Sequence, residues 1–289
     1  MRLLSLALLL MTPLFAVVYS EKVGREQSIK LAEPLDAVVA IGYRGASGQH
    51  ISKASGVLID PQTILTASHI IKEDGIADTV YFGADINNPL TTRKIASYIN
   101  DFWSKATLED GAPDYGDGSD LALIRLDRPV LDIEPYPVCG YISSLLGREI
   151  TLTGYGRSGL GSRGLYPKKP SARRLAGTNT FDHYAKEAEG PRILADFDDG
   201  TPESNSLTKG SERPTTYEAI TAAGDSGGPA LIQIDNKWVI IGVLNAGVTP
   251  DGAIDSGYGE IAYWTGLASA LPWLEHYTDC TIYSLDTAE

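Results

Sequence analysis

A serine in a glycine-rich turn is the residue of this sequence best suited to chemistry. Ser226 lies in the hexapeptide Gly-Asp-Ser-Gly-Gly-Pro, which spans residues 224–229. Glycines tolerate positive φ and carry no Cβ, so a bulky substrate can approach this backbone closely. A serine hydroxyl is a weak nucleophile unless a base activates it and a third group orients that base. The turn therefore predicts a nucleophile only if both partners exist elsewhere in the chain.

The candidate base is one of the four histidines of the sequence. His69 directly follows a strand pattern that ends at Ser68, where a rigid scaffold can aim an imidazole. By contrast, His50 lies in a Gly/Ser-rich stretch, His183 in a charged stretch and His276 on a terminal helix pattern. A surface or structural role is the simpler interpretation for an arbitrary histidine, so the position of His69 decides the choice.

The candidate acid is Asp120, at the start of the apolar run 121–126. A carboxylate at the beginning of such a strand is costly to bury unless it is hydrogen-bonded. Holding one nitrogen of a histidine would supply that bond and fix the tautomer that a base requires. Asp114 and Asp117 are the nearby alternatives, but both lie in a loop with no strand behind them. We therefore expect Asp120 to orient His69.

Short strands are the elements that must position these residues. Apolar runs bounded by the turn formers Gly, Pro, Asp and Asn predict strands at 37–43, 55–59, 79–82, 121–126, 149–153, 230–234 and 237–244. Long helical periodicity is found only over 265–277. Regularly spaced strands with one terminal helix indicate a barrel or sandwich protein. The charged stretch 157–217 is interpreted as long surface loops inserted between strands.

Three segments together resemble the signature segments of the chymotrypsin/trypsin-like serine proteases. They are Thr-Ala-Ser-His at 66–69, Asp-Leu-Ala-Leu at 120–123 and the hexapeptide at 224–229. Their order, His then Asp then Ser, matches that family and differs from subtilisins and α/β-hydrolases. Gly-Tyr-Gly at 154–156 and Pro-Trp-Leu at 272–274 resemble two further segments of the family.

The resemblance extends over about 23–277 and implies a fold. It implies an all-β protein made of two packed six-stranded Greek-key β-barrels with a C-terminal helix. We expect the barrels at about 34–130 and 145–265, and the helix at about 265–277. All three would lie within a peptidase domain at 21–289.

The activity implied by the resemblance is that of a serine endopeptidase that works through an acyl-enzyme. Ser226 would attack the scissile carbonyl, His69 would accept its proton, and Asp120 would orient His69. The backbone N–H groups of Gly224 and Ser226 would form the oxyanion hole. Two alternatives stay open, a catalytically silent relative that binds a protein and an esterase-like hydrolase on the same scaffold.

The substrate pocket implied by the resemblance has an apolar floor. Trypsin-like members carry an aspartate six residues before the nucleophile, where this sequence has Ile220. An apolar floor cannot neutralise a buried Lys or Arg, so cleavage after basic residues is not expected unless Asp255 reaches into the pocket. Asn245 and Gly247 are expected on the strand that pairs with the substrate backbone.

The N-terminal segment is predicted to be a secretory signal peptide at 1–20. Arg2 precedes an apolar run, and Ser20 supplies a small residue at the cleavage point. An uncleaved membrane anchor is the alternative. By analogy with the family, a further cut before Val23 would create an amine that pairs with Asp225, unless maturation ends at Ser20. We therefore expect a secreted or periplasmic protein.

Charge and cysteine content bear on partners and class. The formal net charge is −13 and no basic stripe is interleaved with aromatic residues, which argues against a nucleic-acid partner. We expect a monomer that acts on proteins or peptides without a cofactor or metal, and a solvated acidic loop at 196–199.

Cys139 and Cys280, the only cysteines, predict one disulfide in an exported protein, with two buried thiols as the alternative. This disulfide-poor pattern resembles bacterial-type secreted members of the family.

Overall fold

The computed structural model describes residues 17–74, 77–99, 120–165, 172–187, 190–252 and 255–285. The strands in chain order are β1 (Val18–Tyr19), β2 (Val38–Arg44), β3 (His50–Asp60), β4 (Thr63–Thr66), β5 (Thr79–Phe82), β6 (Thr91–Ile99), β7 (Ala122–Leu126), β8 (Glu149–Gly154), β9 (Gly159–Leu160), β10 (Gly164–Leu165), β11 (Leu175–Thr180), β12 (His183–Glu187), β13 (Gly190–Asp196), β14 (Ala219–Ile220), β15 (Pro229–Ile234), β16 (Lys237–Val248) and β17 (Ile261–Gly266). The helices are α1 (Gly24–Ala32), α2 (Ser68–Asp74) and α3 (Leu271–Tyr277), with 3-10 turns at Ser143–Leu145 and Ala268–Ala270. None of these helices is long and apolar enough to cross a lipid bilayer.

The first half of the fold is a closed barrel of six antiparallel strands. Its strand order is β2–β3–β4–β7–β6–β5. Side chains such as Leu58, Leu65, Phe82 and Leu123 are fully buried in its core. Closure leaves no free strand edge, and it fixes the ends of β4 and β7 side by side.

The second half is a seven-stranded antiparallel sheet that forms a half-barrel. Its strand order is β11–β8–β15–β16–β17–β13–β12. Fully buried Ile193, Ile241 and Trp264 belong to its core. The short α3 follows this sheet, so the predicted all-β fold with two barrel-like sheets and a C-terminal helix is confirmed.

The strand predictions outside 157–217 correspond to strands, but two other predictions are wrong. Three strands of the second sheet, β11, β12 and β13, lie within 157–217, which is therefore not a set of inserted surface loops. The terminal helix does not begin at Thr265, because that residue belongs to β17 and α3 starts at Leu271. In both segments, polar residues such as Thr178, Asn179 and Thr265 are buried. An apolar pattern therefore does not mark these strands in the sequence.

The start of the described chain is an integral part of the fold. Strand β1 pairs antiparallel with β14 and parallel with β9, and Val17 and Val18 are fully buried. Its neighbour Ser20 donates its backbone N–H to the Glu218 carbonyl at 2.9 Å. A leader that ended at Ser20 would remove this paired strand.

The two cysteines are free thiols, which contradicts the predicted disulfide. Val138 pairs with Ile282 in a parallel bridge, so Cys139 is aligned with Tyr283, three residues beyond Cys280. Three extended residues span about 10 Å, whereas the Cα atoms of a disulfide are at most about 7 Å apart. Burial raises the pKa of both thiols.

Candidate active site

The pairing of β4 with β7 brings a histidine and an aspartate together. Thr66 is opposite Ala122 in this antiparallel pair, so the chain positions that follow β4 and precede β7 are also adjacent. His69 Nδ1 lies 2.6 Å from Asp120 Oδ2, and the His69 backbone N–H donates to Asp120 Oδ1 at 2.8 Å. The Asp120 side chain is fully buried, whereas His69 keeps 15% of its side chain exposed. The carboxylate therefore fixes both the backbone and the ring of a histidine that substrate can reach.

The turn that carries Ser226 connects β14 with β15. Gly224 and Gly227 have φ values of +94° and +79°, in the left-handed region that favours glycine. A Cβ on Gly227 would lie 2.1 Å from Thr66 Oγ1 and 2.9 Å from Ile70 Cδ1. The backbone next to Ser226 is thus packed against β4 and against the residue that follows His69.

Ser55, on β3 of the first barrel, holds this turn from the other half of the molecule. Its backbone N–H donates to the Ser226 carbonyl at 2.9 Å. Its hydroxyl donates to the Gly224 carbonyl at 3.4 Å and accepts the Tyr155 N–H at 3.0 Å. This one residue of the first barrel therefore binds Gly224 and Ser226 in the turn, which we call the nucleophile turn, and Tyr155 in the Gly-Tyr-Gly segment.

The amides of Gly224 and Ser226 were predicted to form an oxyanion hole. Within the described ranges, neither of these backbone N–H groups donates a hydrogen bond to another protein group. Two unoccupied donors in one glycine-rich turn are the arrangement that an anionic oxygen requires.

Asp225 is fully buried, and its partner differs from the predicted one. Its Oδ2 accepts the backbone N–H groups of Val17 and Ala222, both at 2.9 Å, and its Oδ1 accepts that of Gly156 at 2.8 Å. Burial raises the pKa of this carboxyl to about 6, against the lowering effect of the three amides. Val23 instead donates its N–H to the Ser20 carbonyl just before α1. The N-terminal residue that donates to Asp225 is therefore Val17.

A cavity of about 190 Å3 opens beside Ser226. Ile220, which the sequence placed at the pocket floor, lines it together with Asn245 and Gly247, which the sequence placed on the strand that pairs with substrate. Ile220 is 1% exposed and belongs to β14, whereas Gly247 is exposed near the end of β16. Asp255 is not among the lining residues, but Glu260 is.

Four buried carboxyl groups lie on β13 and in the segments that flank β12 and β14. They are Asp182, Asp196, Asp198 and Glu218, each at most 5% exposed. The acidic stretch is therefore not solvated at Asp196 and Asp198. Burial raises the pKa of Asp198 and of Glu218 to about 8, and it also raises that of Asp182, next to Asp196. Of these four groups, Glu218 lies two positions before the pocket-lining residue Ile220.

The alternatives that the sequence offered for the base do not approach the turn. His50 Nδ1 lies 2.5 Å from the Ile86 carbonyl on the first barrel, His183 is on the edge strand β12, and His276 is on α3. The alternative acids Asp114 and Asp117 lie outside the described residues.

Sequence reasoning missed two residues of the site and misread one that supports it. Val17 and Glu260 carry no motif of their own, and only their spatial neighbours give them a role. Arg174 was assigned to a charged surface stretch but is fully buried. Its guanidinium donates to the Ala32 and Val38 carbonyls at 3.1 and 2.8 Å, which joins the second half to the first.

Comparison with known proteins agrees with this geometry. The family model Trypsin matches residues 32–274. Transmembrane protease serine 11G of Rattus norvegicus is 26% identical over 213 residues, which cover 70% of this chain and 44% of the relative. Tryptase of Mus musculus is 25% identical over 237 residues, 77% of each chain. Phenoloxidase-activating factor 1 of Holotrichia diomphalia is 26% identical over 257 residues, 81% of this chain and 64% of the relative.

The comparisons also limit which properties of the relatives can be assigned to this chain. The chain spans less than half the length of the rat transmembrane protease that it matches. The relatives come from mammals and an insect, so the expectation of a bacterial-type member is not supported.

Proposed function

This chain belongs to the trypsin family of serine proteases, and from that premise we propose that it is a secreted serine endopeptidase. The observation that carries the proposal is the 2.6 Å contact between His69 Nδ1 and Asp120 Oδ2, next to the turn of Ser226. A buried carboxylate on one ring nitrogen leaves the other nitrogen as the base, which is the arrangement that activates a serine.

In the proposed reaction Ser226 Oγ attacks the carbonyl carbon of the scissile peptide bond. His69 takes the hydroxyl proton and returns it to the leaving amine, which frees the first product and leaves an acyl-enzyme. Water, deprotonated by His69, then hydrolyses the ester and regenerates Ser226. Asp120 stabilises the imidazolium in both steps, and the Gly224 and Ser226 amides stabilise the oxyanion.

The decisive experiment combines a serine-directed fluorophosphonate probe with hydrolysis of a protein substrate such as casein. We expect the probe to label Ser226 and the Ser226→Ala variant to be unlabelled and inactive. Asp120→Asn presents an amide N–H to His69 Nδ1, so hydrolysis should fall by about 10²- to 10⁴-fold. Labelling that persists in Ser226→Ala, or correctly processed protein without labelling, would contradict the proposal.

The proposed mature N-terminus is Val17, released when a leader is cut after Ala16. Ala16 is a small residue within the last part of the apolar N-terminal run, as a leader cleavage site requires. The Val17 nitrogen lies 2.9 Å from Asp225 Oδ2, where an α-ammonium would neutralise a fully buried carboxylate. Val17 has φ +48°, which is a strained conformation for a β-branched residue. Cleavage of the peptide bond before Val17 would remove this strain.

N-terminal sequencing of the exported, active protein tests this assignment. We expect Val17 as the first residue, and active protein that begins at Glu21 or Val23 would contradict it. A variant with one glycine inserted before Val17 moves the amine away from Asp225. That variant should fold but lose at least about 10-fold in activity, because a buried carboxylate loses its cation.

A further inference from the structure

The connection between β13 and β14, residues 197–218, is held in place by two buried carboxyl groups that lie outside it. Asp196, the last residue of β13, accepts the backbone N–H of Leu207 through its Oδ2 at 2.7 Å. Asp182, just before β12, accepts the backbone N–H of Ser211 through its Oδ1 at 2.7 Å. The middle of this long connection is therefore bound to the second sheet through carboxyl oxygens.

Each of these two carboxyl groups keeps one oxygen that receives no hydrogen bond. Asp182 Oδ2 and Asp196 Oδ1 are buried, and no donor in the described part of the chain reaches them. The two side chains interact directly with each other. Two carboxylates in this arrangement repel when both are ionised, whereas one proton shared between them supplies the missing donor and removes the repulsion.

The acidic groups around this pair make the whole region negative. Burial, together with the charges of Asp196, Asp182, Asp199 and Glu212, raises the pKa of Asp198 to about 8. No described lysine, arginine or histidine forms an ion pair with Asp182, Asp196 or Asp198. The described protein therefore does not neutralise these buried carboxyls with a cation of its own.

The described basic side chains on the same segments have other surroundings. Lys209 and Arg213 on the connection and His183 on β12 are all exposed, and the first and last of them line a surface cavity of about 220 Å3. Arg192 on β13 lies over the Tyr263 ring, 5.8 Å from its centroid. Among the described residues, no three ligating side chains converge as a bound metal ion would require. A proton is therefore the cation that this arrangement accommodates.

The same connection leads into residues of the proposed active site. Asn179 Nδ2 donates to the Asp196 carbonyl at 2.8 Å and to the Ala219 carbonyl at 2.9 Å, which ties the carboxyl pair to β14. Strand β14 pairs with β1 and contributes Ile220 to the cavity beside Ser226. A displacement of the connection would consequently disturb both the cavity and the N-terminal strand.

We propose that one proton shared by Asp182 and Asp196 holds the connection between β13 and β14, and that its loss toward alkaline pH switches the protease off. Burial, and then the charge of Asp196, raise the pKa of Asp182 above its ordinary value of 3.8. The folded chain thus keeps a proton that the unfolded chain releases. This stabilisation is complete below about pH 3.8 and is lost as the pH rises through the raised pKa.

Loss of the shared proton leaves two buried carboxylates that repel each other, and movement of the connection relieves that repulsion. The effect on hydrolysis rests on the proposed protease function, whereas the effect on the connection does not.

The activity test compares the wild type with Asp182→Asn over a pH series on one peptide amide substrate. The asparagine side chain donates an N–H to Asp196 Oδ1 and keeps an oxygen for the Ser211 amide, so it replaces the shared proton at every pH. We expect the ratio of kcat/KM, variant over wild type, to rise at least about 10-fold between about pH 5.5 and about pH 9. Taking this ratio cancels the titration of His69, which both proteins share.

Two further variants accompany this comparison. Asp196→Asn places the amide on the other partner and should give the same rise. Asp199→Asn is the matched control on the same connection, because Asp199 is exposed and hydrogen bonds from Thr201 and Ser204 lower its pKa. Its ratio to the wild type should stay within about twofold over the same pH range.

Hydrogen exchange in a Ser226→Ala background provides a readout that does not need hydrolysis. With Asp182 intact, the Leu207 and Ser211 amides should lose at least about 10-fold in protection factor at about pH 9, whereas Asp182→Asn should keep their protection. Equal alkaline losses with and without the asparagine would overturn the proposal, as would failure of both asparagine variants to fold.

Restoration of protection by calcium at alkaline pH would also overturn the proposal, because a metal ion would then neutralise the pair. Failure of the proposed protease function looks different, because no substrate would be cleaved at any pH while the exchange result would stand.

Discussion

Replacing Glu218 with glutamine should change the free energy of unfolding in opposite directions at low and high pH. Glu218 is 1% exposed, and its carboxyl accepts the Thr215 N–H at 2.6 Å, the Thr215 hydroxyl at 2.7 Å and the Asp198 N–H at 3.4 Å. Burial raises its pKa from 4.5 to about 8. The folded state thus binds a proton that the unfolded state releases, and stability is lost as the pH rises from about 4.5 to about 8.

The magnitude follows from the size of that rise. One pKa unit corresponds to about 1.4 kcal/mol, so complete ionisation of Glu218 costs the folded wild type about 5 kcal/mol. Glutamine does not ionise, but its NH2 group cannot accept the Asp198 N–H, which costs about 1 kcal/mol at any pH. The variant should be less stable than wild type by about 1 kcal/mol near pH 3.5, where the carboxyl is protonated in both states, and more stable by about 4 kcal/mol near pH 9.

Urea unfolding in a Ser226→Ala background measures both values without self-digestion. The exposed residue Glu134 supplies a control, since Glu134→Gln should shift stability little at either pH. A Glu218→Gln effect of the same sign and size at both pH values would refute the reasoning, because it would mean that the pKa of this carboxyl is the same in the folded and unfolded states.

Three further predictions concern the framework of the site. Gly227→Ala should lower the free energy of unfolding by about 3–5 kcal/mol and reduce activity, because the new Cβ lies 2.1 Å from Thr66 Oγ1 and φ is +79°. The control Gly252→Ala has φ +81° but no atom near the new Cβ, and it should cost only about 1–2 kcal/mol. Equal losses of the two variants in urea unfolding would contradict the steric argument. Arg174→Met should destabilise by about 3 kcal/mol, since it removes the hydrogen bonds that the guanidinium donates to the carbonyls of Ala32 and Val38, and an unchanged urea midpoint would count against this. A phosphine reductant should leave the thermal midpoint unchanged, because Cys139 and Cys280 are free thiols, whereas a drop of several degrees would reinstate the disulfide.

The sequence was a good guide where apolar runs and short motifs carry the structure. Strands β2, β5 and β7 follow continuous apolar segments, so their burial follows directly from composition. His69 and Asp120 were placed by strand ends, and the barrel register explains why strand ends meet there. Such features depend on local chemistry, which a single sequence displays.

The sequence was a poor guide where polar residues are buried by distant partners. Strand β11 was interpreted as part of a surface loop, yet Asn179 on it donates to the Asp196 and Ala219 carbonyls at 2.8 and 2.9 Å. Val17 was interpreted as part of a leader, yet its backbone N–H donates to Asp225, which is more than 200 positions away in the sequence. Long-range hydrogen bonds of this kind leave no periodic trace along the chain.

The position of Ser55 has a consequence for how the polypeptide can be divided. The nucleophile turn follows the first barrel by about a hundred residues, yet its Ser226 carbonyl is held by a strand of that barrel. Each half consequently contains only part of the proposed catalytic centre, with His69 and Asp120 in one and Ser226 in the other. Two fragments split in the described connection between β7 and β8 would form a complementation pair, in which recovered hydrolysis reports that the fragments have reassociated.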